Sequence, residues 1–147
     1  MQSLGVRLAA AASLLVVAAT AQAPTFQPVG NMSQLMIDII YPTSDALFYV
    51  DRDPPKNEHE WSLLRAQALM LAESGNLIMM QGRARDQENW IKYSKTMIDL
   101  GTTAFKAAQA KNLDGIRALN NPLNDVCVNC HLQYRPGYHK RPAPAAK

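Results

Sequence analysis

The sequence predicts an all-α protein, an antiparallel four-helix bundle, and three observations carry that prediction. Apolar residues recur at helical spacing, most clearly at Trp90, Tyr93, Met97, Leu100, Ala104 and Ala107, separated by 3, 4, 3, 4 and 3 positions. That is the seam of a helix packed against neighbours. Short runs rich in proline, glycine and charge separate such segments, as the connections of an up-down-up-down bundle would. Almost no stretch alternates apolar and polar residues in the two-residue rhythm of a half-buried strand.

Each element follows from local signals. From Ser33 to Val50 the residues Leu35, Met36, Ile39, Ile40, Leu47 and Val50 return near the helical period. Pro42 interrupts them, because its ring clashes with the carbonyl four residues back, at Asp38. One helix kinked there, or two short ones meeting, fits the pattern. Residues 51–56, DRDPPK, read as a turn. The second helix opens at Asn57, an N-cap residue, with Glu58 and Glu60 where the positive end of the helix dipole favours them. It runs through Trp61, Leu64, Ala68 and Leu71 towards Met80, tolerating Gly75, and GRARD at 82–86 ends it. After the third helix a fourth segment begins near Asn112 and reaches about Tyr134. Pro122 splits it as a first-turn proline. Helices of roughly 18–25 residues are expected from these spans.

The N-terminus, MQSLGVRLAAAASLLVVAATAQA, places Arg7 before an apolar run from Leu8 to Ala19, followed by small residues. This is the pattern of a signal peptide over 1–23, with cleavage after Ala21 or after Ala23. The run is shorter than the roughly 20 residues a spanning helix needs. Export to the periplasm, with no stable membrane insertion of the mature chain, is the expectation. Residues 24–138 then form one helical domain and 139–147 a proline-rich, flexible tail. The formal charge of +3 at pH 7 becomes +2 once Arg7 is removed. Basic and acidic residues are interspersed with no basic stripe, which argues against nucleic-acid binding.

The two cysteines of the 147-residue chain stand three apart, in Cys127-Val-Asn-Cys130-His131. At about 100° per residue, the three side chains project within an arc of about 100° on one helix face. Zinc normally takes four protein ligands, and His59 and His139 are too scattered to complete a set. A redox C-x-x-C sits at a strand-to-helix junction, which an all-helical chain does not offer. A disulfide leaves the histidine without a role. Two thiols that bind the edge of a porphyrin, beside an imidazole that binds its iron, account for all three residues. C-x-x-C-H is the signature of c-type haem attachment.

With that motif near the C-terminus of a helical chain, and with Tyr134 and Arg135 following three and four positions after His131, residues 30–138 resemble the class II c-type cytochromes, the cytochrome c′ group and its low-spin relatives. The resemblance implies haem c on Cys127 and Cys130, with His131 as proximal iron ligand. It implies a distal residue from the first helix, where Met36 lies inside the periodic segment and Met32 near its start. Methionine ligation gives a low-spin electron carrier that docks transiently with redox partner proteins; a residue that cannot ligate gives a five-coordinate protein binding nitric oxide or carbon monoxide. By the same resemblance Arg135 lies near the haem, either against a propionate or as plain surface, and a homodimer through the first two helices is common among relatives. Met36 as ordinary core filling is the competing reading, as it is for Met79 and Met80. Trp61 and Trp90 read as core, and His59, between two glutamates, as solvated. No catalytic constellation is visible, so no enzyme activity is expected.

Overall fold

The computed structural model describes residues 26–138, all helix and loop, with no strand among them. The signal peptide and the tail expected at 1–23 and 139–147 lie outside the described residues. Four long helices and one short one follow in order. Helix α1 covers residues 32–48, and α2 is Glu58–Met79. Helix α3 is Asn89–Gln109, α4 is the single turn Leu113–Arg117, and α5 is Asn120–Tyr134. None of the described helices is long and apolar enough to cross a membrane.

Helix α1 opens on a reciprocal cap. Asn31 Oδ1 accepts from the Gln34 N–H at 2.9 Å, and Gln34 Oε1 accepts from the Asn31 N–H at 3.0 Å, so two otherwise unpaired donors are satisfied. The expected disturbance at Pro42 takes the form of a π-helical stretch, Leu35–Ile40, inside one continuous helix that then runs as Tyr41–Phe48. Proline has no N–H to give the Asp38 carbonyl. One step earlier, the Tyr41 N–H donates to Met36 O, five residues back. Thr43 Oγ1 donates to the carbonyls of Ile39 and Ile40 at 2.8 and 3.0 Å, which satisfies acceptors that the wider turn leaves loose.

Asn57 caps α2 as expected, accepting from the Glu60 N–H at 3.0 Å. Helices α2 and α3 approach closely through small residues. A Cβ on Gly101 would lie 2.7 Å from the Ala72 backbone nitrogen, and one on Gly75 would lie 2.4 Å from Ile98 Cγ1. Leu64, Ala68, Leu71 and Ile78 of α2 pack with Trp90, Met97, Ala104 and Ala108 of α3 in the buried core. Trp90 also places its indole N–H on the Ile78 carbonyl at 2.9 Å, so its polar edge is satisfied inside.

Helix α3 ends with Lys111 in the left-handed region at φ 53°. The Lys111 N–H donates to Ala108 O and the Asn112 N–H to Ala107 O, the paired bonds of a Schellman ending. Asn112 then caps α4 through the Gly115 N–H. The last expected segment is thus divided at Ala118 and Leu119, with Pro122 in the first turn of α5. The two pieces have 5 and 15 residues, so the split expected near Pro122 falls just before it. Arg117 links Asp51 and Asp114, and Lys111 pairs with Glu58, joining the 51–58 turn to the turn after α3.

Candidate functional site

Helix α5 turns Leu123 and Val126 into the core. One step further along the helix, Cys127, Cys130 and His131 stand half-buried, with Cys127 against the core cluster. The three residues expected to act together therefore share the edge of the buried face, neither in the core nor fully in water. The thiols are free. Burial pushes the Cys127 thiol up to about 11; burial also pushes Cys130 to about 11, with lesser contributions from Cys127 and Asp86. Burial lowers the His131 pKa, and the nearby Arg135 guanidinium lowers it further. At neutral pH both sulfurs carry protons, and the shift at His131 favours the uncharged imidazole, which is its metal-binding form.

The surroundings are aromatic and well anchored. The Tyr134 hydroxyl donates to the Asp86 carboxylate, and its ring meets Trp90 edge-on with centroids 5.0 Å apart and Tyr93 at 6.5 Å. Asp86 also caps α3, its Oδ1 accepting from the N–H groups of Glu88 and Trp90 at 2.9 and 3.0 Å. Past the end of α5 the chain folds back, with the Tyr138 N–H donating to Arg135 O at 3.2 Å. The Tyr138 ring comes to 5.4 Å from the His131 ring, and the Arg135 guanidinium lies 5.9 Å from the Tyr138 ring. Arg135 is exposed, and its guanidinium acts electrostatically on His131.

Met36 lies in the π-helical stretch of α1, half-buried against the core cluster, and Met32 packs against the same cluster. Three contacts place them relative to α5. Arg83 Nη2 donates to Gly30 O at 2.8 Å, Trp90 donates to Ile78 O, and Tyr134 donates to Asp86. The start of α1, the end of α2, the start of α3 and the end of α5 thereby meet at one end of the molecule. Met36, six residues after Gly30, and His131, three residues before Tyr134, lie towards that end of their helices. No polar or ring contact among the described residues joins Met36 to the three residues of α5.

His59 is exposed, as expected for a first-turn residue. Met80 Sδ accepts from Arg83 Nη1 at 3.3 Å, and Trp61 lies at the edge of the core. Among the described residues no group of three or more His, Cys, Asp or Glu side chains is gathered as a metal site.

Sequence reasoning missed three residues here. Asp86 stands four positions before Trp90, which is a helix-capping signal, but nothing local announces its bond to Tyr134. Tyr138, the last residue of the expected domain, carries no local signal, and Arg83 reads only as part of the GRARD break although it is buried. Comparison of the chain with protein-family models, with curated proteins and with solved structures finds no match.

Proposed function

We propose that the chain is an exported mono-haem cytochrome of the class II c-type kind, an antiparallel four-helix bundle that carries electrons in the periplasm. The observation that supports this most is the state of Cys127, Cys130 and His131. They share one half-buried helix face at the edge of the core, with both thiols free and burial favouring the uncharged imidazole. That donor set fits a porphyrin, a flat apolar ring with a metal at its centre: a half-buried edge can cover one face of it, and the imidazole nitrogen is available to iron.

Cys127 and Cys130 would hold the ring through thioether bonds, each sulfur bonding one carbon of a vinyl group while its hydrogen goes to the other. His131 would hold the iron from the proximal side. A bound haem supplies reversible one-electron chemistry. Tyr138, whose ring meets the His131 ring edge-on, would cover part of the imidazole, and Arg135 would supply a positive charge beside it, suited to a propionate. Tyr134 fixes the end of α5 against Trp90, Tyr93 and Asp86, so the attachment face is held from outside the site.

Met36 would be the second residue to hold the iron in this reading. The π-helical turn supports the choice, because such turns shift side chains off the regular helical register and concentrate at functional sites. A thioether ligand favours reduced iron and raises the potential. Redox partner proteins would dock transiently at the site end, where an exposed cofactor edge shortens the distance for transfer.

The test is the ferric and ferrous absorption spectrum of protein matured with the haem-attachment machinery, in wild type and Met36→Ala. Low-spin spectra in the wild type, turning high-spin and carbon monoxide-reactive in Met36→Ala, are expected. A wild-type ferrous form that is already high-spin and binds carbon monoxide, with no change in Met36→Ala, would instead favour a five-coordinate gas-binding protein.

A further inference from the structure

Arg83 is 8% exposed and has no carboxylate for a partner among the described residues. Gly82, at φ +85°, makes the turn that carries it inward. Its Nη1 donates to Leu77 O at 3.1 Å and to Met80 Sδ, and its Nη2 donates to Gly30 O. Its Nε is buried without an acceptor. Carbonyls at the end of α2 offset part of the charge, but a buried guanidinium with only neutral partners is an unbalanced arrangement. Asp86, the nearest acid in sequence, is engaged by Tyr134 and the start of α3. Beside Arg83 lies a cleft of about 260 Å³, whose lining includes Pro28, Met32, Gly82 and a second arginine, Arg85. No ion pair involves Arg85 among the described residues.

We propose that this cleft, between the start of α1 and the 82–85 turn, binds a carboxylate, with Arg83 and Arg85 as its cations. Guanidinium groups match the planar, two-oxygen geometry of a carboxylate. Pro28 and Met32 beside them suit an acid with an apolar body better than a bare inorganic ion. Two sources offer that chemistry. One is a propionate of a porphyrin on α5, which rests on the function proposed above; Met32, in the cleft lining, precedes Met36 by one helical turn. The other is a free small organic acid, which does not depend on that function.

The experiment uses the full chain in two forms, one matured with the haem-attachment machinery and one produced without it. The probe is butyrate, with chloride at equal ionic strength as control. In the form produced without the machinery, butyrate raises the thermal midpoint by about 2 °C relative to chloride. Arg85→Gln, and Arg83→Lys checked for retained helix by circular dichroism, lose that rise. If a propionate is the occupant, butyrate has no effect on the matured form, and Arg85→Gln lowers its reduction potential because the carboxylate charge is no longer balanced. Arg52→Gln, in the turn at the far end of α1, leaves the potential unchanged. If a free acid is the occupant, butyrate stabilises both forms. Butyrate no better than chloride in the unmatured form, with both variants like wild type, overturns the site. Haem attachment is read separately from intact mass, so the failure of this site and the failure of the cofactor reading are told apart.

Discussion

Helices α2 and α3 meet backbone to backbone, with Gly75 and Gly101 removing the side chains that would hold them apart. Helix α5 is seated differently: Leu123 and Val126 are its buried residues, and Tyr134 fastens its end through Asp86 and Trp90. The first pair is complete within the polypeptide. The second leaves two thiols and an imidazole on a half-covered edge. The scaffold's stability therefore resides mainly in α2 and α3, and the proposed chemistry resides on an element that the scaffold positions but does not enclose. A region built for rigidity can tolerate no added atom, whereas a region built to receive a ligand keeps its reactive groups at the rim.

The sharpest way to separate the two regions is to remove the reactive groups of one. Cys127→Ala/Cys130→Ala is expected to abolish covalent cofactor attachment completely, read by intact mass. Far-UV circular dichroism of the double variant should remain helical, because α2 and α3 do not depend on those sulfurs. Collapse of the helical signal would show that the scaffold is not independent of the site.

The converse experiment overfills the tight contact. Gly101→Val would drive three heavy atoms into the Ala72 backbone, and a loss of about 3 kcal/mol is expected from urea denaturation. A loss well under 1 kcal/mol would mean that α2 and α3 can separate freely, and the contrast with α5 would weaken.

Those two regions also differ in how much of them could be read beforehand. The α2 and α3 spans were legible because the signals are local: Asn57 accepts a bond from three residues on, and the 3-4 spacing from Trp90 to Ala107 states which face is buried. The place of the C-x-x-C-H motif near the end of the last helix was legible because its three side chains stand within five residues of a helical segment. The π-helical stretch was only half legible. Pro42 announces a disturbance, but whether the helix bends, breaks or widens depends on acceptors such as Ile39 O and Ile40 O finding Thr43. Arg83 and the Asp86–Tyr134 bond were not legible at all, since they depend on chain segments 48 and 53 residues apart coming together. Local pattern fixes helices, while their ends are joined by long-range contacts that no short window contains.

The Asp86–Tyr134 contact gives a pH test of how α5 is fastened. Its hydrogen bond to Tyr134, followed by the backbone bond from Trp90, lowers the Asp86 pKa below its ordinary value. Burial, then the bond to Asp86, raises Tyr134 to about 12. A lowered carboxyl pKa gives stability that is full above the unfolded value, about 3.9, and is lost as pH falls through the folded value. A raised phenol pKa gives stability that is full below the unfolded value, about 10, and fades as pH rises towards 12. Wild type should therefore lose stability on both sides of that plateau. Tyr134→Phe should abolish the alkaline loss that this group contributes and make the acid loss shallower, measured as thermal midpoint against pH. An unchanged profile would mean that the bond does not fasten α5.

The smallest expected effect lies far from the site. Asn57→Ala removes the cap on α2, and a loss of about 1 kcal/mol is expected by denaturant titration, with no change in any absorption of the cofactor. A spectral change would show the two regions to be more strongly coupled than their contacts suggest.

Intact mass and absorbance of the full chain produced with the haem-attachment machinery bear most directly on the whole account. The account predicts a polypeptide heavier by one haem, with a Soret band that survives denaturation because two sulfur–carbon bonds hold the ring. A mass equal to the bare polypeptide, with no Soret absorbance, would contradict it.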